Sequence, residues 1–236
     1  MPIYRVADIA FEANAKYSMF KKRLEKYTAQ DAEPLFKIEV RDEELQNVHV
    51  TEEFTYEIAE YMLTGKQFYM NLLKNNGIML HASGIKYKGG AYLFSADSGT
   101  GKSTHTGIWQ RVFGKDNVKI LNDDKPAIRF FGDEIFAYGT PWSGKYDISL
   151  NEKVPLKAIV FLERGAENII RRTNDKEAFE MFFQQTVRRI DAEYMSCLFD
   201  VMDKVLKLVP IYKMSCNMED EAAIIAEKTI CSSDIL

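Results

Sequence analysis

The stretch "AYLFSADSGTGKSTHTGIW", residues 91–109, decides how the rest of the chain is interpreted. A strand-like apolar run ends in a loop of small residues, and a lysine and two hydroxyls then open a helical pattern with Ile108 and Trp109 on its apolar face. A strand that enters a helix through a glycine loop brings backbone N–H groups and the positive end of the helix dipole into one small volume. The sequence therefore predicts a loop that binds a polyphosphate.

The residues that we expect around the phosphates are Ser98, Gly99, Thr100, Gly101, Lys102, Ser103 and Thr104. In the pattern G-x-x-x-x-G-K-S/T the glycines let the backbone approach the phosphates, the lysine reaches the β- and γ-oxygens, and the next hydroxyl, here that of Ser103, ligates Mg²⁺. Ala96 stands where the full pattern has its first glycine. The predicted cofactors are ATP and Mg²⁺, and the alternative is a degenerate loop of purely structural use.

Two adjacent acids, Asp123 and Asp124, end the next apolar run, "ILNDD". Proteins with a phosphate-binding loop carry a metal-associated carboxylate at such a position. Because neighbours on an extended chain point to opposite sides, we expect one carboxylate near Mg²⁺ and the other where it can accept a proton from an attacking hydroxyl. The alternative is a solvated Asp-Asp turn.

His81 is placed beside the loop by a predicted β-hairpin. The segments "IMLHASGIKY" and "AYLFS" are separated by "KGG", and glycine supplies the positive φ of a tight turn. A two-residue turn at Gly89 and Gly90 sets Tyr87 opposite Tyr92 and, further down, His81 opposite Ser98. We therefore expect His81 near the phosphates, and the alternative is a hydrogen-bonded core histidine.

These elements together resemble the HPr kinase/phosphorylase family, which shares a P-loop fold with phosphoenolpyruvate carboxykinases. The matching segments are "LHASG" (80–84), "SADSGTGKST" (95–104) and "LNDD" (121–124), and the resemblance covers roughly residues 78–216. With "GTPWSGK" (139–145), "VPLKAIVFLERG" (154–165) and "IYKMSC" (211–216), the chain looks more closely like the HPr-kinase-related group found beside peptide-modification genes in bacteria.

The resemblance implies roles for the candidate site residues. Asp123 would be the catalytic base toward a serine hydroxyl, Asp124 would lie with Ser103 around Mg²⁺, and His81 would be a polar neighbour of the phosphates. "YGTPWSGKYD" takes the place of the family's glycine-rich phosphorylase signature, so kinase action alone is implied. Relatives often assemble, which leaves a homo-oligomer open.

Two further cations are candidates for stabilising the transferring phosphoryl group. Lys145 lies on the Gly/Pro-containing stretch "GTPWSGK", where a loop can bring a positive charge to the site. Arg164, after "FLE", is the second candidate. An ordinary surface turn is the alternative for Lys145.

Composition indicates a globular enzyme or binding domain. The chain has 236 residues, 46% hydrophobic and 28% charged, with a net charge of -4 and no long basic block, so we expect no nucleic-acid partner. Its three scattered cysteines predict free thiols in a reducing compartment. No signal peptide and no apolar run of about 20 residues is seen, so we expect a cytoplasmic protein without a membrane partner.

The predicted fold class is α/β, a P-loop kinase of the HPr kinase/phosphoenolpyruvate carboxykinase type with a mixed sheet, antiparallel hairpins and flanking helices. Residues 1–75 are predicted as an N-terminal α/β flanking subdomain and 76–236 as the kinase core, together one compact unit. Helices are expected over about 14–27, 52–73, 102–113, 174–190, 192–208 and 219–228. Strands are expected at the N-terminus and near 36–40, 78–87, 91–95, 118–122, 127–138 (a hairpin turning at Gly132), 156–165, 168–173 and 211–215.

The predicted function is an ATP- and Mg²⁺-dependent kinase that transfers the γ-phosphoryl group to a hydroxyl, with a serine of a peptide or protein or a small metabolite as the acceptor. Phosphoryl transfer needs mainly alignment and charge neutralisation, which the proposed residues supply. Two alternatives stay open. One is a phosphoenolpyruvate carboxykinase-like enzyme, and the other is a regulatory or assembly protein that binds ATP without using it.

Overall fold

The computed structural model describes residues 1–186 and 190–231. The helices are α1 (Ser18–Leu24), α2 (Asp42–Gln46), α3 (Tyr56–Leu73), α4 (Lys102–Phe113), α5 (Asp175–Gln184), α6 (Ala192–Leu208) and α7 (Asp220–Ile230), with one 3-10 turn at Glu25–Tyr27. The strands are β1 (Ile3–Val6), β2 (Ile9–Ala13), β3 (Phe36–Ile38), β4 (Gly77–Met79), β5 (Ala82–Tyr87), β6 (Gly90–Ser95), β7 (Lys119–Asn122), β8 (Ala127–Phe131), β9 (Glu134–Tyr138), β10 (Lys153–Arg164), β11 (Ile169–Arg172) and β12 (Ile211–Cys216).

A mixed nine-stranded sheet forms the centre of the molecule. Its main order is β4-β8-β9-β10-β6-β5-β7, with β12 also paired to β10 and β11 to β12, while β1, β2 and β3 form a small separate sheet. The long strand β10 pairs antiparallel with β9 at its start and parallel with β6 and β12 further on.

Strand direction explains why the predicted site residues meet. β6 and β10 are parallel, and β5 is antiparallel to both β6 and β7. The ends of β6, β7 and β10 and the start of β5 therefore lie at one edge of the sheet. That edge carries the loop after Ser95, the two aspartates after Asn122, Arg164 and His81.

Helices cover both faces of the sheet. Alternate residues of β6 point to opposite sides: Leu93 joins the hydrophobic cluster of α3, α5 and α6, while Phe94 joins the cluster of α4 and α7. Phe68 of α3 and Trp109 of α4 are fully buried in these two clusters. The loop between β6 and α4 thus joins a buried strand to a packed helix, which fixes the predicted phosphate-binding segment.

The predicted hairpin before the loop has a different register. Its turn is Lys88-Gly89, both at positive φ (47° and 79°), so Tyr87 pairs with Gly90 rather than standing opposite Tyr92. The predicted turn at Gly89–Gly90 is therefore wrong by one residue, and the predicted partner of Tyr87 is wrong by two. The reason is that Lys88 adopts the left-handed conformation that the prediction reserved for glycine.

Two other boundaries differ from the predictions. The predicted strand over 78–87 is two strands, because β4 pairs with β8 and the chain crosses at His81 to start β5 beside β6. The helix predicted from residue 14 begins at Ser18, and the one predicted to reach residue 190 ends at Gln184. Residues 187–189, which that helix was expected to include, lie outside the described residues.

Other predictions are confirmed. α4 ends before Gly114, α6 spans the expected residues 192–208, and the β8–β9 hairpin turns at Gly132. The three cysteines are free thiols. Within the described part of the chain, no helix combines the length and the apolar composition that a membrane crossing needs.

Candidate functional site

The loop between β6 and α4 is open above its backbone. Gly99 and Gly101 have φ of 78° and 122°, in the range that glycine tolerates. A Cβ on Gly99 would meet no atom within 4 Å, and one on Gly101 would meet only the Cβ of Thr104 at 3.9 Å. Ala96 is not among the described residues at positive φ, so the missing first glycine causes no strain. At these two glycines no side chain closes off the loop backbone.

Lys102, the first residue of α4, folds back over this loop. Its Nζ donates to the carbonyls of Ala96 (2.9 Å) and Asp97 (3.2 Å), and only 8% of the residue is exposed. Burial lowers the pKa of Lys102, while Asp124 and, more weakly, Asp123 act in the opposite direction. The lysine is thus a buried cation without an ion pair to any carboxylate among residues 1–186 and 190–231, and an anionic ligand would stabilise its charge.

Asp123 faces the helix that follows the loop. Its Oδ1 accepts a hydrogen bond from the buried hydroxyl of Ser83 (2.7 Å), which also bonds the hydroxyl of Thr106 in α4 (2.9 Å). Because the single proton of Ser83 goes to the carboxylate, Thr106 donates to Ser83, and in α4 Thr106 lies three residues after Ser103, whose own side chain is exposed. Asp123 is therefore tied to the first turn of α4, the turn that carries the predicted Mg²⁺ ligand.

Asp124 points to a different set of partners. His81 Nε2 lies 3.5 Å from Asp124 Oδ1, Lys125 Nζ lies 3.6 Å from the same oxygen, and the Tyr61 hydroxyl lies 3.5 Å from Oδ2. Burial, followed by the negative charge of Asp124, raises the pKa of Tyr61, which is therefore a neutral donor. The two adjacent aspartates have separate partners, in line with the expectation that they point to opposite sides.

A chain of side chains connects the loop to this carboxylate. Gln185 Nε2 donates to Asp97 Oδ1 (2.8 Å), so its Oε1 faces His81 Nδ1 (3.1 Å). Nδ1 must then carry the proton, and the lone pair of Nε2 faces Asp124. Burial lowers the pKa of His81, and the charges of Lys125 and Lys102 lower it further. Two acceptors, His81 Nε2 and Asp124 Oδ1, therefore face each other across 3.5 Å.

The two remaining cation candidates are placed differently. Arg164 at the end of β10 donates from Nε to the carbonyl of Thr100 (3.3 Å) and from Nη2 to that of Gly99, so it braces the loop. Lys145 is exposed and lies over the ring of Tyr146, with 5.9 Å from its Nζ to the ring centroid. The neighbouring Gly144 packs against the Cβ of Asp124, but the Lys145 side chain is not brought into the carboxylate cluster.

Two cavities flank the loop. One, of about 400 Å³, is lined by the loop glycines together with Thr104, Ile108, Arg164 and Met218. The other, of about 480 Å³, is lined by His81 and Lys125 and by apolar side chains of α3 and Trp142. A third cavity, of about 490 Å³, lies near Tyr27 and contains none of the predicted site residues. The two aspartates do not line either of the first two cavities, but His81, Lys125 and Tyr61, which lie beside Asp124, all line the second.

Sequence reasoning missed several residues of this site. Ser83, Thr106, Tyr61, Lys125 and Gln185 all contact a predicted site residue or share its hydrogen bonds. Ser83 lies within the quoted segment "LHASG" and Lys125 directly follows "LNDD", so a local signal was at hand for both. Tyr61 and Gln185 come from distant helices, and no local signal marks them.

The donor set suits Mg²⁺ bound together with a polyphosphate. Among the described residues no group of three or more His, Cys, Asp or Glu side chains is placed to hold a metal. Mg²⁺ commonly uses one or two carboxylates, with phosphate oxygens and water completing its shell. The exposed Ser103 hydroxyl and the Asp123 carboxylate on the same side of the site fit that requirement.

Comparisons with known proteins give little. No family model matches the chain, and no curated protein matches its sequence. Among solved structures the chain is similar to the HPr(Ser) kinase/phosphatase from Coxiella burnetii, with 10% sequence identity, a TM-score of 0.39, and 66% of this chain and 90% of that chain covered. A likeness this distant says nothing about what this chain binds.

Proposed function

We propose that this protein is an ATP- and Mg²⁺-dependent phosphotransferase that acts on a hydroxyl group. The observation that carries the proposal is the arrangement around Asp124: an open glycine loop with a buried lysine on one side, and a cavity with a neutral histidine on the other. An enzyme that joins two substrates needs two spaces that meet at the reacting groups, and proximity accounts for much of its rate.

The loop side suits the nucleotide. Backbone N–H groups of the loop, the start of α4 and Lys102 would bind the phosphates, and the cavity beside Thr104 and Ile108 would take the nucleoside. Lys102 would exchange the carbonyls of Ala96 and Asp97 for phosphate oxygens. When bound, Mg²⁺ supplies neutralisation of phosphate charge, and Ser103 and Asp123 would hold it.

The contacts favour exchanging the aspartate roles that the resemblance implied. Asp123 accepts from Ser83 on the α4 side, whereas Asp124 lies beside His81 and Tyr61, two residues that line the second cavity. We therefore assign the proton-accepting role to Asp124, with His81 Nε2 as the adjacent acceptor, and the metal-side role to Asp123.

Asparagine variants of both aspartates test this assignment. Transfer is followed with γ-labelled ATP and a panel of serine, serine peptides and aromatic alcohols, and nucleotide affinity is measured calorimetrically with a non-hydrolysable ATP analogue and Mg²⁺. Asp124→Asn should lower transfer by about 10²–10⁴-fold and spare nucleotide affinity. Asp123→Asn should weaken the Mg²⁺-dependent part of nucleotide binding.

The other outcomes are equally specific. Unchanged nucleotide affinity in Lys102→Met would overturn the phosphate-loop role. A loss of transfer confined to Asp123→Asn would restore the roles that the resemblance implied. Tight nucleotide binding without transfer to any acceptor would favour the ATP-binding regulatory protein, and ATP-dependent decarboxylation and phosphorylation of oxaloacetate, with release of CO2 and ADP, would favour the carboxykinase.

A further inference from the structure

The side chains that line the cavity on the His81 side indicate the kind of ligand it would bind. Its walls are mostly carbon, from Met62, Met79, Trp142 and the rings of Tyr61 and Tyr69. Its polar side chains are Lys66, Gln184, Gln185 and Thr186, together with His81 and Lys125, which lie beside Asp124. We propose that this cavity binds a small acceptor with a hydroxyl at one end, a flat apolar body and a negatively charged group at the other end. This inference rests on the proposed function and names its acceptor class.

The flat apolar body follows from the cavity walls. Trp142 is only 1% exposed, stacks on Phe68 with a centroid separation of 4.7 Å, and donates from Nε1 to the carbonyl of Tyr61 (3.1 Å). The indole is thus fixed as a rigid wall. Small-molecule sites are commonly pre-formed pockets of roughly 300–1,000 Å³ with apolar walls and few polar groups, and the volume of about 480 Å³ lies in that range.

The charged end follows from α3. Tyr61 marks the reacting end, because its hydroxyl touches Asp124. Lys66 lies five residues further along the helix, which is about 7 Å along the axis at about 1.5 Å per residue. It is exposed and lines the cavity, and within the described residues no acid forms an ion pair with it. A carboxylate or similar anion about 7 Å from the hydroxyl would meet this free cation.

The same features favour a small molecule over a protein segment. Lys66 and the exposed Met62 stand at the rim, while His81 lies inside at the carboxylates. A ligand that spans rim to carboxylate is therefore about the length of one substituted ring. Serine peptides that compete for the cavity are an outcome of the test below.

The probe is 4-(hydroxymethyl)benzoate, which carries a hydroxyl and a carboxylate on opposite sides of one ring. Benzyl alcohol lacks the carboxylate, and 4-methylbenzoate lacks the hydroxyl. Calorimetry with the full chain, without nucleotide, should show the probe binding about three- to tenfold more tightly than benzyl alcohol, with an advantage that shrinks as salt is raised. 4-Methylbenzoate should bind but accept no phosphate.

Charge reversal at the rim separates this proposal from the kinase proposal. Lys66→Glu should remove the advantage of the probe over benzyl alcohol, whereas Lys115→Glu, an equal change of net charge at an exposed position beyond α4, should keep it. Equal affinity of the probe for the wild type and for Lys66→Glu overturns the proposed ligand class. Binding of serine peptides together with no binding of the probe overturns it as well. If the probe outbinds benzyl alcohol in the wild type and in Lys115→Glu but not in Lys66→Glu, and no phosphate is transferred to it, the ligand class of the cavity is supported and the proposed phosphotransferase activity is overturned.

Discussion

At the scale of single residues, His105 shows how burial fixes a protonation state. Trp109 Nε1 donates to His105 Nε2 (3.1 Å), so the proton must be on Nδ1, which is buried without a partner among the described residues. Burial lowers the pKa of His105 to about 4. In the unfolded chain a histidine titrates near 6.5, so the unfolded state binds the proton first as the pH falls. The folded state therefore loses stability between pH 6.5 and 4.

His105→Gln should remove that loss, because an amide oxygen can accept from Trp109 and does not titrate. The stability of the wild type relative to this variant should fall by on the order of 3 kcal/mol between pH 7 and pH 4. Urea denaturation at several pH values measures the difference, and His49→Gln at an exposed position is the control. Parallel pH curves for the wild type and His105→Gln would refute the buried neutral histidine.

At the scale of elements, two helical glycines predict opposite effects of the same substitution. Gly107 in α4 faces open space, since a Cβ there would meet nothing within 4 Å. Gly65 in α3 touches the indole of Trp142, where a Cβ would lie 2.9 Å from Cδ1 and 3.0 Å from Nε1. Gly107→Ala should therefore stabilise the protein by roughly 0.5–1 kcal/mol through helix propensity.

Gly65→Ala gains the same propensity but forces the packed indole to move, which costs about 1–3 kcal/mol. We expect a net loss of stability in chemical denaturation, with the Gly107→Ala protein as the matched comparison. Equal stabilisation by both substitutions would show that α3 does not approach Trp142 this closely. α3 runs through Gly65 without a break.

Elements with strong local signals could be predicted, and those set by tertiary pairing could not. The loop and α4 follow from a glycine pattern, and α5 starts where Asn174 Oδ1 accepts from the Glu177 N–H (2.9 Å). The β1–β2 hairpin was missed because its turn is Ala7-Asp8, two non-glycine residues at positive φ. Rules that recognise hairpin turns by their glycines do not detect this Ala7-Asp8 turn.

The candidate site divides in the same way. The loop residues and the aspartate pair carry short-range motifs, so they could be predicted. Tyr61 and Gln185 reach Asp124 and His81 only because α3 and the end of α5 pack against that edge of the sheet, 63 and 104 residues away in sequence. The direction in which each aspartate points also depends on these helices, and this is why the role assignment needed the structure.

At the scale of the whole molecule, the N-terminal segment shares a core with the rest of the chain. The largest hydrophobic cluster contains Phe20 and Phe68 together with Trp142, and Arg129 donates to the carbonyl of Ala7 (2.7 Å) in a buried contact. Two elements packed through one core are expected to unfold together. The subdomain boundary near residue 75 stays a prediction about sequence organisation, and unfolding can test whether it has energetic meaning.

The two tryptophans of the chain make that test direct, because they report on different clusters. Trp142 lies where the N-terminal segment meets the core, and Trp109 lies in the cluster of α4 and α7 on the other face of the sheet. In Trp109→Phe and Trp142→Phe, fluorescence should follow the remaining tryptophan and circular dichroism the whole fold. Within each variant the two probes should give the same denaturation midpoint, because the sheet strands contribute alternate residues to both clusters. A fluorescence midpoint that separates from the circular dichroism midpoint in either variant would mean that one face of the sheet unfolds alone. In Trp109→Phe, where Trp142 is the reporter, an early fluorescence midpoint would mean that the cluster containing α3 opens while the cluster of α4 and α7 stays folded.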